Sequence, residues 1–298
     1  MTTEMMLLAI AIPIFYLTMF GESLWIHKIH PEKFKKNMGY TWIDTIASLT
    51  MGIGYLASKH IAKVITVPVY LFAYEYRIFD IPSDSWQWWV ALFILQDFVF
   101  YWYHRTHHGV RILWAAHVTH HSSQHYNLST ALRQSWTAVF TTLLFYPPIC
   151  LLGFDPLMLA TVGLLNLFYQ YWIHTEAIDK IGFLEHILMT PSHHRVHHGT
   201  QEQYLDRNHG GMFIIWDKMF GTFEPEQEQV VYGLTKNIDS YNPVVIAFHE
   251  WADIARDVKN ADSLSDALGY MFKEPGWKPE PKRVKHSLDS QTLESSGL

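Results

Sequence analysis

Cysteine and charge are both scarce in this chain. Its one cysteine, Cys150, lies in an apolar stretch, so no disulfide can form within a single chain. Only 17% of the 298 residues are charged, whereas about a quarter are charged in a typical soluble protein. The net charge is −6 and no basic stripe is present, so nucleic acid is not an expected partner.

Several sequence motifs are also missing. The chain contains neither the HExxH of zinc hydrolases nor the Glu-x-x-His pairs of ferritin-like proteins. It has no Rossmann glycine pattern, haem-attachment motif or cytochrome domain, so an external donor would have to supply any electrons. The first apolar segment lacks the basic flank and cleavage site of a signal peptide and is expected to be a retained anchor.

Apolar residues, by contrast, are abundant. The chain is 49% hydrophobic and 15% aromatic, a composition typical of membrane proteins. We expect an all-α integral membrane bundle of four to six membrane helices, with a cytosolic histidine-rich helical cap holding a dinuclear metal site. The weakest candidates are two stretches separated only by Ser58, Lys59 and His60. The long apolar stretches cover residues 5–26, 42–57, 61–79, 86–103, 137–153 and 156–173.

One histidine spacing occurs three times. Each copy places imidazoles at i, i+3 and i+4, which share a helix face, so two or three ring nitrogens can meet at one point. A single copy could be a solvated helix face, but three copies offer more nitrogens than one ion can use. The sequence therefore predicts a two-metal site. The copies are HRTHH at 104–108, HVTHH at 117–121 and HRVHH at 194–198.

Some histidines are harder to assign from spacing alone. Helix phase allows either His107 or His108 to accompany His104. His125 lies outside the repeated spacing. We expect it to contact the ligating histidines without binding the metal, or to lie at the surface. Histidine-only sites next to a bilayer favour redox metals, because zinc has no redox states. Iron is the best candidate, although the residues alone also admit zinc or copper.

Three further polar residues are candidates for the site. Asp97 lies two turns before His104, within an apolar helix where an acid is costly, and we expect it to hydrogen-bond a ligating imidazole. In the loop SSQHYNLSTALRQS, Asn127 and Arg133 are candidates for contact with a lipid head group, with Arg133 suited to an anion. Capping and turn formation is an equally good interpretation of the serine and asparagine residues there.

The histidine motifs resemble those of the fatty acid hydroxylase superfamily, the membrane di-iron enzymes that include sterol desaturases. HRTHH, HVTHH and HHRVHH, with the lone histidine of YWIHTE, carry the resemblance. LWAAHVTHHSSQHYNLSTALRQS, TPSHHRVHHG and GGMFIIWDKMFGTFEPE further resemble the alkylglycerol monooxygenase subgroup. The resemblance extends over roughly residues 97–283.

The resemblance implies a set of iron ligands. His193 or His209 would fill one further position in the third region. Two departures affect substrate and reductant: Gly109 stands where relatives often have an acid, and His209 stands where the animal ether-cleaving enzymes usually have tyrosine. The implied ligands are His104, His108, His117, His120, His121, His174, His194, His197 and His198.

The resemblance also implies an activity. Two iron ions, with zinc as a possible replacement in a purified preparation, would use O2 to hydroxylate a lipid C–H bond. At a carbon next to an ether oxygen, the product would collapse to a fatty aldehyde and glycerol. The electron donor would be tetrahydrobiopterin, a cytochrome or a ferredoxin. Sterol desaturation, sterol methyl oxidation and fatty acyl hydroxylation are the nearest alternatives, and a metal-storing or metal-transporting membrane protein is a remote one.

Basic residues predict the orientation. Lysines at 28, 33, 35 and 36, and the arginines around the histidine motifs, place both regions in the cytoplasm by the positive-inside rule. That would be the inner membrane of a bacterium or the endoplasmic reticulum of a eukaryote. We expect one catalytic unit, with amino-terminal membrane helices in 1–85, a histidine-motif core in 86–278 and a polar tail in 279–298.

Overall fold

The structure is a computed structural model that describes residues 3–29 and 39–280. These ranges consist of helices joined by turns and irregular segments, with two isolated β-bridges. The lysines at 33, 35 and 36 and the tail from 281 onward lie outside the described residues. The helices are α1 (Thr3–Ile29), α2 (Trp42–Glu75), α3 (Trp86–Gly109), α4 (Arg111–Trp114), α5 (Val118–His121), α6 (Ala138–Thr141), α7 (Pro147–Leu152), α8 (Pro156–Trp172), α9 (Pro191–His197), α10 (Ile215–Phe220), α11 (Pro243–Lys259) and α12 (Leu264–Phe272). Short 3-10 turns cover Thr130–Leu132, Thr142–Leu144, Gly182–His186 and Glu202–Tyr204.

The apolar stretch 42–57 and most of the stretch 61–79 lie in one helix, which ends at Glu75. α2 continues through residues 58–60 and has 34 residues, a length of about 50 Å. Among the described residues it is the one helix long and apolar enough to cross a membrane, while the apolar segments Ile12–Ile26 and Ala138–Leu152 are shorter. The all-helical fold is confirmed. The two stretches that were the weakest candidate spans share a single helix, since the three polar residues between them do not interrupt α2.

The stretch 137–153 is also not one helix. It breaks into α6, a 3-10 turn and α7, because the consecutive prolines at 147 and 148 have no backbone N–H and cannot donate the hydrogen bonds that would continue the helix. Gly153 ends α7 with φ 123°, and an added Cβ would lie 2.1 Å from the carbonyl oxygen of Phe79. Asp155 then caps α8 by accepting from the backbone N–H of Leu157 at 2.7 Å. A short turn therefore joins α7 to α8.

A hydrophobic cluster packs α7 and α8 against α3. Cys150, Leu92 and Val162 are at most 1% exposed in this cluster, so the lone thiol is a packing residue. α3 and α8 run side by side, which brings the carboxyl end of α3, with the first histidine motif, close to the carboxyl end of α8, which His174 follows.

A buried acid fixes α1 to the rest of the molecule. Both oxygens of Glu22 are hydrogen-bonded: the backbone N–H of Leu128 donates at 2.9 Å, and the hydroxyls of Tyr40 and Thr175 also donate. Thr175 directly follows His174, and Leu128 lies in the loop after the second motif. α1 is therefore tied to two segments that carry histidines.

Candidate metal centre

The histidines converge in two buried clusters. Within each cluster, one ligand nitrogen per residue lies within 4.8 Å of all the others. The two clusters adjoin, since the rings of His121 and His198 stack with centroids 4.4 Å apart. The first cluster contains His104, His108, His117, His121 and His197, and the second contains His120, His174, His194 and His198.

Helical spacing explains how the motifs divide between the clusters. In each motif the i and i+4 histidines lie about 40° apart around the helix axis, whereas the i+3 residue lies about 60° to the other side. The i and i+4 pairs of the first two motifs enter the first cluster, and the corresponding pair of the third motif enters the second. The i+3 residues of the second and third motifs, His120 and His197, each enter the opposite cluster. The two clusters therefore share the second and third motifs.

Backbone carbonyls fix the protonation of four rings. Nδ1 of His104 lies 2.8 Å from the carbonyl oxygen of His209, and that of His174 lies 2.6 Å from the carbonyl of Gln170. Since a carbonyl oxygen only accepts, each Nδ1 carries the hydrogen and, in the neutral ring, Nε2 keeps a bare lone pair. The same contact joins His197 to Arg207 at 2.8 Å and His120 to Arg133 at 3.3 Å. This is the usual arrangement behind a metal-ligating imidazole.

These bare nitrogens point at one another. Nε2 of His174 lies 3.1 Å from Nε2 of His120 and 3.0 Å from Nε2 of His194. In the first cluster, Nε2 of His104 lies 2.9 Å from Nε2 of His117. Two nitrogens bound at right angles to one ion at about 2.1 Å are about 3.0 Å apart. Because His174 and His120 have no Nε2 hydrogen to share, a cation between them relieves the repulsion, so these residues fit a metal at each cluster.

Burial keeps the clusters neutral. It lowers the pKa of His120 to about 4. It also lowers the pKa of His121, His197 and His198 well below the usual value, with neighbouring histidines adding to the effect. Neutral imidazole is the form that binds metal, so the rings are ready to coordinate at neutral pH.

His107 of the first motif and His193, which precedes the third motif, lie apart from both clusters. His107 has both nitrogens occupied, by the carbonyl of Tyr103 at 2.6 Å and the hydroxyl of Thr141 at 2.8 Å. His193, expected among the ligands, instead has Nδ1 3.2 Å from the carbonyl oxygen of Leu188 and Nε2 3.9 Å from a Glu185 oxygen. Its side chain leaves α9 on the side away from the clusters.

His125 and His209 are buried without being members of either cluster. In the described part of the chain, Nδ1 of His125 and both ring nitrogens of His209 have no hydrogen-bond partner. His209 is grouped with His108 and Asp206, and Asp206 accepts from Nδ1 of His108 at 3.2 Å. His209 therefore borders the first cluster. The resemblance implies one further ligand in the third region, and His209 is close enough to be that ligand.

Comparison with known proteins identifies the domain that carries these clusters. The family model described as fatty acid hydroxylase matches residues 89–222. The central region of the chain is therefore similar to fatty acid hydroxylases. The expected resemblance is thereby confirmed, and the matched residues include both histidine clusters.

The curated relatives that match this region have names that describe oxidation of lipids. Alkylglycerol monooxygenase of Homo sapiens is 44% identical over 243 residues, which are 81% of this chain and 54% of the human protein. The Danio rerio protein of that name is 42% identical over 248 residues, 83% of this chain and 55% of its own. Ornithine lipid hydroxylase OlsE of Rhizobium tropici is 28% identical over 148 residues, 49% and 45% of the two chains. The chain spans about half the length of the curated relatives it matches. No solved structure matches it.

Asp97 supports the histidine clusters from a distance. It is fully buried and accepts hydrogen bonds from the backbone N–H groups of Met212 and Phe213 at 2.7 and 3.2 Å. The Trp216 indole donates to it at 2.9 Å. Among the described residues no imidazole bonds to Asp97, so the expected contact with a ligating ring is not the one observed. Asp97 instead anchors the segment after His209, whose carbonyl oxygen orients His104.

Arg133 and Asn127 are both engaged by the protein. The Arg133 guanidinium is 1% exposed and donates to Asp44 at 2.6 Å and to Ser122 at 3.0 Å. Asn127 donates to the carbonyl of Gly39 at 2.9 Å and accepts from Ser129. Asn127 thus has the turn-forming contacts that were the alternative to head-group binding, and Arg133 already holds an anionic partner.

Three acids near the site were not singled out from the sequence. Glu22 and Asp44 are buried at 7% and 1% exposure, and an acid within an apolar stretch is the signal that could have identified both. Asp206 is different, because it lies on a loop, has φ 56° and has a side chain that is 68% exposed. No sequence spacing relates it to His108.

An apolar cavity reaches the second cluster. It has a volume of about 200 Å³ and lies between α1, α2, α8 and the loop after the second motif. His120 and His174 are lining residues, and most of the others are aliphatic or aromatic. The lining extends from His174, just after α8, back along α8 to Leu164, a distance of about 15 Å at the rise of a helix. The cavity therefore has the shape and chemistry for an alkyl chain that ends at the histidines.

Proposed function

We propose that this chain is a membrane-embedded, O2-dependent di-iron oxygenase that cleaves an ether lipid, a 1-O-alkylglycerol, to a fatty aldehyde and glycerol. The observation that carries the proposal is an apolar cavity ending on two neutral imidazoles, His120 and His174, whose bare nitrogens converge. The names of the relatives with 42 to 44% identity support the choice of substrate.

The two histidine clusters are the proposed iron sites. One ion would be held by the first cluster of five histidines and the other by the second cluster of four, with His209 beside the first. Bound there, the two ions would supply O2 activation and the oxidation of a C–H bond. The protein holds the ring nitrogens in place and excludes water, since the histidines of both clusters are largely buried.

The reaction has a simple balance. One O2, two electrons and two protons convert the ether carbon's C–H to C–OH and release one water. The resulting hemiacetal breaks its C–O bond to the glycerol, giving aldehyde and a free glycerol hydroxyl. Tetrahydrobiopterin, a cytochrome or a ferredoxin would supply the electrons.

The lipid would enter sideways from the bilayer. Cavity residues on α1 and α2 are partly exposed on the outer surface, with Tyr16 at 52% and Ile53 at 66% exposure. Apolar side chains exposed in this way suit contact with hydrocarbon. An alkyl chain passing between α1 and α2 would reach the histidines without crossing water.

The proposed setting is a bundle of four to six membrane helices with a cytosolic histidine-rich cap. Exposed apolar residues on α1, α2 and α3 support it, for example Leu17 at 70%, Val64 at 80% and Trp86 at 69%. The active site would face the cytoplasm, in a bacterial inner membrane or in the endoplasmic reticulum. The amino-terminal helices (1–85), the core (86–278) and the tail (279–298) would form one catalytic unit.

Lipid mass spectrometry tests the proposal. Cells expressing the protein or its His120→Ala variant are fed a labelled 1-O-alkylglycerol with and without O2. We expect O2-dependent release of labelled fatty aldehyde, or the acid formed from it, with the unaltered protein only. Survival of the ether lipid in all cells would refute ether cleavage.

Hydroxylation of a lipid without cleavage is the second candidate. The match to ornithine lipid hydroxylase favours it, as does the fatty acid hydroxylase of Lecanicillium sp, which is 29% identical over 172 residues. In the same experiment this activity would leave the ether lipid intact while another lipid gains an oxygen atom. Loss of two hydrogens would instead indicate desaturation.

A further inference from the structure

Two amides interrupt the apolar lining of the cavity. Gln134 lies in the loop after the second motif, and Gln170 lies on α8 one turn before His174. Aliphatic and aromatic side chains line most of the remaining surface. Polar groups in such a cavity fix the orientation of a ligand, so the position and free atoms of these amides matter.

Both amides lie at the histidine end. The backbone carbonyl of Gln170 accepts from Nδ1 of His174 at 2.6 Å. The carbonyl of Arg133, the residue before Gln134, lies 3.3 Å from Nδ1 of His120. Each amide is therefore next to the carbonyl that orients one of the two imidazoles facing the cavity.

The amide of Gln134 is oriented by a backbone group. Its Nε2 donates to the carbonyl oxygen of Ala131 at 2.8 Å, and a carbonyl oxygen can only accept. The nitrogen is thus committed to the protein. The Oε1 atom remains as an acceptor, and among the described residues it has no hydrogen-bond donor.

The amide of Gln170 is oriented by a chain of hydrogen bonds that begins at Asp97. Carboxylate oxygens accept, so Asn166 Nδ2 donates to Asp97 at 3.0 Å, and its Oδ1 faces the other way. Gln170 Nε2 donates to that Oδ1 at 2.5 Å. In the part of the chain that the structure describes, Oε1 of Gln170 also has no donor.

We propose that Gln134 and Gln170 determine substrate specificity by accepting hydrogen bonds from hydroxyl groups close to the oxidised carbon. The inference rests on the proposed function, and it narrows the substrate to a long-chain amphiphile with unsubstituted hydroxyls a few bonds from the reacting carbon. An alkylglycerol with a free glycerol end has this form. A chain oxidised far from its polar group does not.

Loss of the hydroxyl donors should weaken binding. A neutral hydrogen bond changes affinity by roughly two- to tenfold, and an acceptor left unpaired by a mismatched ligand costs more. Two amides acting on two hydroxyls should therefore separate a diol from its methylated analogue by about tenfold or more.

The test compares two ligands and three variants in lipid nanodiscs with the metal-loaded protein. The ligands are 1-O-hexadecylglycerol and its 2,3-di-O-methyl derivative, which keeps the ether and the chain but has no donor. The variants are Gln134→Met, Gln170→Met and, as a surface control, Gln203→Met, whose amide is exposed. The measurements are KM, kcat, metal content and anaerobic equilibrium binding of each labelled ligand.

We expect the wild type to bind the diol at least tenfold more tightly than the methylated compound. Each cavity variant should raise KM and Kd for the diol by roughly three- to tenfold, leave the methylated compound unchanged and retain its metal. The control should match the wild type. Should a cavity variant lose metal, the wild-type comparison of the two ligands decides the question.

Equal affinity of the wild type for both ligands would overturn the inference and leave ether cleavage intact. Equal losses for both ligands in metal-retaining variants would also overturn it, because they would indicate a general packing effect. A wild type that oxidises neither ether would refute the proposed function, and anaerobic binding would still report whether the amides select the hydroxyls.

Discussion

The buried ion pair between Asp44 and Arg133 should be essential for stability as well as for the orientation of His120. Arg133 Nη1 lies 2.6 Å from Asp44 Oδ1, with side-chain exposures of 1% and 2%. The guanidinium also donates to Ser122 at 3.0 Å and to Ser48 at 3.3 Å. The pair joins the first turn of α2 to the loop whose carbonyl faces His120.

The burial of both side chains sets the expected loss of stability. Removing one partner of a buried pair leaves an uncompensated charge and costs about 3 to 5 kcal/mol. Arg133→Met and Asp44→Leu should each lower the free energy of unfolding by that amount. The double variant removes both charges, so its loss should fall short of the sum by about 2 kcal/mol or more.

Chemical denaturation in detergent micelles, followed by tryptophan fluorescence, measures these losses. Arg77→Met is the matched control, since Arg77 pairs with Asp80, which is 87% exposed, and should cost at most about 1 kcal/mol. A loss below 1 kcal/mol for Arg133→Met would refute the reasoning. If that small loss came with a raised KM, Arg133 would instead bind the anionic head group that the sequence suggested.

Three more outcomes can be checked on purified protein. His121→Ala should remove metal, measured by mass spectrometry of the protein's metal content, whereas His107→Ala should retain it, because both His107 nitrogens already have partners; equal retention would remove His121 from the site. Asp97→Asn should cost about 1.5 to 3 kcal/mol of unfolding free energy, because it places an amide against the donors of residues 212 and 213; unchanged stability would deny Asp97 its anchoring role. Glu22→Leu should detach α1 from the loop at Leu128 and increase proteolysis of α1, an effect that a normal digestion pattern would contradict.

The sequence predicted the histidine clusters well because their information is local. Spacing of i, i+3 and i+4 places side chains on one helix face whatever the rest of the fold does. His193 does not belong to the repeated spacing and was suggested, as an alternative to His209, by the family resemblance alone. Its side chain points towards Leu188 and Glu185. The turn before Pro156 was also predictable, because the residues that favour a turn are adjacent in the sequence.

Interactions between distant segments could not be predicted in this way. Glu22 meets the backbone of Leu128 across 106 positions, and Asp44 meets Arg133 across 89. Each acid was visible as a polar residue in an apolar stretch, but its partner depends on how the helices pack. The continuity of α2 likewise depends on packing and helix propensity, since Ser58, Lys59 and His60 suit a turn as well as a helix.

The division of the motifs between the clusters has a mechanical consequence. Because His120 serves one cluster while its neighbour His121 serves the other, a rotation of α5 that improved one site would disturb the second. The same holds on α9 for His197 and His198. α5 and α9 each contribute histidines to both clusters and therefore fix the separation of the two clusters. Carbonyls outside these helices, at residues 133 and 207, fix the ring orientations. A mononuclear centre would need none of this, since one i, i+4 pair from each helix could face a single ion.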